Sequence, residues 1–121
     1  MSPAISFSDL KGVEPFWKLI LNGEKTRTVR KPRKRPIKKG DTLYLYWKQR
    51  VPKDKKPIHL IATARCTKVK KLKYNDFAYD DEFASSDGFK NHKQLQQSFG
   101  PPAKLGTIEY DVIYWDLCEH P

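Results

Sequence analysis

Cysteine and histidine are scarce in this sequence, and it has no long apolar run. Two cysteines, Cys66 and Cys118, are too few for a disulfide framework or a zinc site. They read as small buried hydrophobes in a reducing cytosol. His59, His92 and His120 are scattered without ligand spacing, so neither a metal nor a cofactor is expected. The opening "MSPAISFSDL" lacks the apolar stretch of a secretory signal or a membrane anchor. Together these absences point to a cytoplasmic (intracellular) protein with no membrane partner. Acid is missing from one place in particular. Between Lys25 and Lys39 stand nine Lys and Arg and no Asp or Glu.

What is present fits one folded domain spanning residues 1–121. A chain of this length buries roughly two-thirds of its unfolded surface, enough for a core without staples. Apolar residues are only 38%, but Phe, Trp and Tyr make up 12% of the chain, and large aromatics bury much area each. The net charge of +10 is one-sided: residues 1–60 carry +11 and residues 61–121 carry −1. Such a field favours polyanions, chiefly nucleic acid. No amphipathic basic helix accompanies it, which argues against a membrane surface.

The pattern predicts a mainly β fold with flanking helices. "EPFWKLILNGEK" reads as a short helix with Phe16, Leu19 and Ile20 on one face, stopped by Asn22 and Gly23. "TRTVRK" reads as a strand starting directly after that stop. Pro32 and Pro36 then enforce a loop. "TLYLYWKQR" alternates, with Leu43, Leu45 and Trp47 on one side and Tyr44, Tyr46 and Lys48 on the other. "VPKDKKP" is a charged loop. "IHLIATARCTKVKKL" is a long strand with Leu60, Ala62, Ala64 and Cys66 inward. Asn75 or Asp76 is expected to cap one short helix, and Asn91 a second one running to Phe99. A closing strand carries Ile108, Tyr110, Val112 and Tyr114 on one face. Antiparallel pairing of these strands gives a small, partly closed barrel.

The chemistry concentrates around "NGEKTRTVR". A glycine at a helix stop lets the next strand begin beside the helix end, which holds Lys25 at a turn. Thr28 and Arg30, two apart, share one strand face. A compact charge, a hydroxyl and a forked guanidinium suit a phosphate or a polarised carbonyl. A plainer reading stands beside this one: Lys25 closes the negative end of the helix and Thr28 is an ordinary strand residue. For Arg27, Lys31, Arg33, Lys34, Arg35, Lys38 and Lys39 the choice lies between a solvated face and a polyanion-binding loop. Like charges at this density repel one another, so the loop is expected to bind. Trp47, Tyr44 and Tyr46 could stack bases, with Lys48 and Arg50 beside them. The run from residue 26 to 39 is expected to line one wall, on the same side as Lys25.

Three stretches resemble the ASCH domain, a relative of the PUA-like RNA-binding pseudobarrels. They are Gly23, Lys25, Thr28 and Arg30 after "FWKLIL", the Gly-Asp turn in "KKGDTLYLYW", and "DGFKNHKQLQQSF" before the last strand. The resemblance implies a small α+β PUA-like pseudobarrel with a cleft beside the Gly-x-Lys motif. The family is described as RNA-associated; some small bacterial members deacetylate N4-acetylcytidine, and others have been proposed to cut RNA. In the deacetylating hydrolases the active set corresponds to Lys25, Thr28 and Asp87, although those enzymes carry glutamate at the last position. The leading expectation is an RNA-binding (or broadly nucleic-acid-binding) module. The alternative is a hydrolase acting on a modified cytidine nucleoside, or a ribonuclease using the same cleft.

Overall fold

The computed structural model describes residues 3–8, 10–47 and 59–118. Five strands form one mixed sheet: β1 (Ala4–Phe7), β2 (Arg27–Arg30), β3 (Thr42–Trp47), β4 (His59–Lys73) and β5 (Glu109–Leu117). Their order across the sheet is β1-β3-β4-β5-β2, and the sheet curls into a half-barrel. All neighbouring pairs are antiparallel except β1 with β3, which run parallel. The expectation of purely antiparallel pairing is corrected here. "AISF" is too short to announce itself as a strand, and its partner lies forty residues away in sequence.

At the open side, arginine side chains join β1 to β2 and to the loop that follows β2. Arg30 donates from its terminal nitrogen to the Ser6 carbonyl (2.8 Å), and Arg33 donates to the Ala4 carbonyl (2.8 Å). Carbonyls two apart on a strand point the same way. The two guanidiniums therefore satisfy successive acceptors on one edge of β1.

Helix α1 (Phe16–Leu21) ends as expected: Gly23 has φ +84°, and the Asn22 side chain accepts from the Glu24 backbone N–H. A 3-10 turn, Tyr74–Asp76, precedes α2 (Asp81–Ser86). The cap of α2 is Asp80, which accepts from the Phe83 N–H, rather than Asn75 or Asp76. Asp76 instead closes the 3-10 turn by accepting from the Lys73 N–H. Asn91 caps α3 (His92–Phe99) as expected. Pro101 and Pro102 stop α3 and also begin α4 (Pro102–Leu105), with Pro102 in the first turn where its missing N–H costs nothing.

Apolar residues gather on both faces of the sheet. The inner cluster is built from Ile5, Phe7, Ile20, Ile37, Leu43, Leu45, Ala64, Cys66, Ile113 and Trp115. The outer cluster joins Val29, Tyr110 and Val112 of the sheet to Tyr74, Phe77, Phe83, Phe89 and Leu95 of the helical layer. Ala62, Ala64 and Cys66 are inward as expected, but Leu60 is 52% exposed. A register shift is the cause: Leu45 pairs with Ala62, yet Tyr46 pairs with Leu60, so Ile61 is bulged and the alternation reverses there. Ile108 lies just before β5 and is exposed, so it does not share the buried face of Tyr110 and Val112.

Candidate functional site

Two helix ends meet at Lys25. The Glu24 and Lys25 N–H groups both donate to the Leu19 carbonyl of α1, fixing the start of the motif. The Thr26 N–H donates to the Ser86 carbonyl at the end of α2. That helix closes in a Schellman motif: the Gly88 N–H donates to Ser85 and the Phe89 N–H to Ala84, with Gly88 at φ +99°. The turn carries Asp87 to Lys25. A methyl on Gly88 would lie 2.8 Å from the Phe16 ring and 3.3 Å from the Lys25 stem. Glycine is needed here both for its conformation and for its lack of bulk.

Lys25 and Asp87 are each 2% exposed. The Lys25 amine donates to the Asp87 carboxylate at 2.7 Å and also to the Asp87 backbone carbonyl. It lies 4.5 Å from the centre of the Phe16 ring and 5.5 Å from that of Phe7. Burial pushes the Lys25 amine below its ordinary pKa, against the upward pull of Asp87. Burial likewise pushes the Asp87 carboxyl up, against the downward pull of Lys25. Both charged forms are costly to bury, so the pair is held by its own attraction and by the two hydrogen bonds.

Beside the pair lies a cavity of about 160 Å³. Phe7, Phe16, Phe89 and Phe99 wall it, and its polar side carries Thr28 and Arg30 along with Lys25 and Asp87. Thr28 is buried, and its hydroxyl accepts from Arg30 Nε at 3.3 Å. No hydrogen bond links Lys25 to Thr28, because the amine is turned to Asp87. Pockets for drug-sized ligands run to roughly 300–1,000 Å³, so this one has room for a single flat ring. A wider groove of about 480 Å³ lies along α1, lined by Glu14, Lys18, Glu24 and Lys90. Its charges are exposed and of mixed sign, and it lacks a buried polar group, so it is the weaker candidate.

The basic run does not form one wall beside Lys25. Arg27 points to the opposite face of β2 from Thr28, since successive strand residues alternate, and its guanidinium lies over Phe83 and Tyr114. Arg30 reaches the cavity while holding β1. Arg33 also holds β1. Lys31, Lys34, Arg35, Lys38 and Lys39 are exposed on the loop between β2 and β3. Trp47 is half-buried against Trp17 of α1, with ring centres 6.0 Å apart. Lys48, Arg50 and the charged loop 51–57 lie outside the described residues. The residues missed from sequence are Phe7 and Phe99, because neither β1 nor the approach of α3 to the barrel mouth is a local property. Among the described residues, no group of three or more His, Cys, Asp or Glu is placed to hold a metal. None of their helices is long and apolar enough to cross a membrane.

A curled mixed sheet with a helical layer, and a lysine pocket at the end of its first helix, define a small α+β half-barrel. More particularly, the chain has the fold of an ASCH domain. It is similar to the crystal structure of an ASCH domain from Lactobacillus crispatus JV V101, with a TM-score of 0.62 and 18% sequence identity. That similarity covers 98% of this chain and 81% of the other. No protein-family model and no curated protein matches the chain.

Proposed function

We propose that the chain is a nucleic-acid-binding module whose Lys25–Asp87 pocket takes one nucleobase, presented by RNA or another nucleic acid. The observation that carries this reading is a buried lysine–aspartate pair opening onto an aromatic-walled cavity of about 160 Å³. Two of the three Lys25 protons go to Asp87, which leaves a third. The carboxylate keeps a second oxygen that accepts from no described group. A donor beside an acceptor complements the ring nitrogen and exocyclic amine on the edge of cytosine or adenine. Phenylalanine rings supply the stacking that holds an unpaired base. The exposed cations Lys31, Lys34, Arg35, Lys38 and Lys39 supply phosphate contacts for the strand.

The co-location of Thr28 with Lys25 and Asp87 favours a second reading, hydrolysis of an N4-acylated cytosine. Thr28 would attack the acyl carbon while a neutral Lys25 takes its proton, the C–N bond would break as Asp87 gives a proton to the departing amine, and water would then hydrolyse the acyl-threonine. In this structure the Lys25 amine serves Asp87 and the Thr28 hydroxyl is held by Arg30, which supports binding ahead of turnover. A turnover assay on N4-acetylcytidine beside a salt-series titration with RNA and DNA tests both readings. Binding predicts affinity that falls steeply with salt and no turnover. Turnover that disappears in both Thr28→Ala and Lys25→Arg would replace it with the hydrolase, because arginine cannot give up its proton near neutral pH.

A further inference from the structure

Two strands set cations around one ring of a third on the outer face of the sheet. Arg27 of β2 stands directly opposite Tyr114 of β5, and Lys68 of β4 stands opposite the same tyrosine from the other side. The Arg27 guanidinium lies 4.6 Å from the Tyr114 ring centre, and the Lys68 amine lies 4.5 Å from it. Phe83 of α2 holds the other flank of Arg27 at 5.1 Å, so the guanidinium is fixed between two rings. Lys70 follows Lys68 two residues along β4, on the same face. The register shift between Cys66 and Lys68 produces this alignment, since it lets Lys68 meet Tyr114.

Asp87, paired with Lys25, also feels Arg27 across β2, but only after Lys25 and Arg30. No carboxylate among the described residues lies within ion-pair distance of Arg27, Lys68 or Lys70. By register the nearest acid on this face is Asp116, which stands opposite Arg65. Arg27 Nε is buried with no hydrogen-bond partner among the described residues. Lys70, followed by burial and then Arg27, holds the Lys68 amine below its ordinary pKa, as expected when like charges crowd. A fixed fork and two mobile ammonium groups flanking one ring match an anion with several charged oxygens, which a phosphate group offers and a lone carboxylate does not.

We propose that Arg27, Lys68 and Lys70, arranged around Tyr114, form a phosphate-binding site on the face of β2 opposite the Lys25 pocket. The phosphate can come from a nucleic-acid strand or from a small phosphate ester. The test titrates the full chain with inorganic phosphate and, separately, with a short single-stranded oligouridylate, following Tyr114 and the two lysine signals by NMR. The expected result is movement of all three signals with both ligands, and no movement of Tyr114 in the Lys68→Gln/Lys70→Gln variant. If the strand is the source, this double variant also lowers the salt slope of oligonucleotide binding by about 1.4, near 0.7 for each lost single-strand contact. Movement with phosphate but not with oligonucleotide supports the site and assigns it to a small phosphate ester. Absence of movement with both ligands overturns the proposal. With inorganic phosphate alone, Thr28→Ala, altered in the pocket, should leave the signals moving; their loss under that ligand would overturn the assignment of a separate site.

Discussion

The two faces of β2 treat charge in opposite ways. Inward, beside Thr28 and Arg30, a lysine is buried with an aspartate as its partner. Outward, Arg27 is clamped between aromatic rings beside two lysines, with no ion-pair partner among the described residues. A run of like charges in sequence is therefore several devices in space. One cation is paired and buried, two hold the barrel closed, one is stacked, and the rest are solvated. Charge density alone does not say which side chain meets a ligand; the partner of each cation does.

The inward pair is the more sensitive of the two faces. Lys25→Ala leaves a buried carboxylate without its partner and should cost about 3–5 kcal/mol, and Asp87→Ala should cost a similar amount. Urea unfolding reads both, and a cost no larger than that of an ordinary surface change would show that the pair is not buried as described. Gly88→Ala comes next, because the new methyl meets Phe16 at 2.8 Å in a backbone region that L-residues avoid. About 1–3 kcal/mol is expected from strain of that kind. The Asp87 amide and the Phe16 ring should shift together in NMR spectra.

Outside the pocket the effects shrink. Arg33→Ala removes one hydrogen bond to β1 and should cost about 0.5–1.5 kcal/mol. Faster hydrogen exchange should be confined to residues 4–7, and uniform loosening of the sheet would refute the clasp. The smallest effect is expected at Asp81, held below the ordinary aspartate value of 3.8 chiefly by the His92 backbone N–H and then by its side chain. A depressed carboxyl pKa stabilises the fold above its unfolded value and loses that contribution as pH falls through the folded one. The stability difference between the native chain and Asp81→Asn should therefore be full near neutral pH and close below pH 3.8.

Much of this arrangement can be read from local sequence, and the failures are non-local. The stop at Asn22–Gly23, the Asn91 cap and the inward alanines of β4 follow from cap chemistry and alternation within a few residues. Alternation in "TRTVR" also contains the outward turn of Arg27, which the sheer number of cations obscured. By contrast, β1 exists because β3 offers it a parallel edge, and Leu60 is exposed because a bulge at Ile61 reverses the phase. Within the site, Lys25, Thr28 and Asp87 are brought together, but their chemistry depends on Phe7 and Phe99 from opposite ends of the chain. Crowding of Lys68 and Lys70 on Tyr114 depends on a second register shift that no local pattern encodes.

The central claim is that the Lys25–Asp87 pair is kept for a ligand and not for the fold. Replacing both members at once, Lys25→Met with Asp87→Leu, is the decisive variant, since both replacements are apolar and similar in length to the side chains they replace. Apolar replacement of a buried ion pair is often neutral or stabilising, by about 1–4 kcal/mol. The double variant should be at least as stable in urea as the native chain, with its affinity for a single-stranded oligonucleotide or for cytidine lost. A double variant as unstable as either single replacement, or one that binds as well as the native chain, would contradict it.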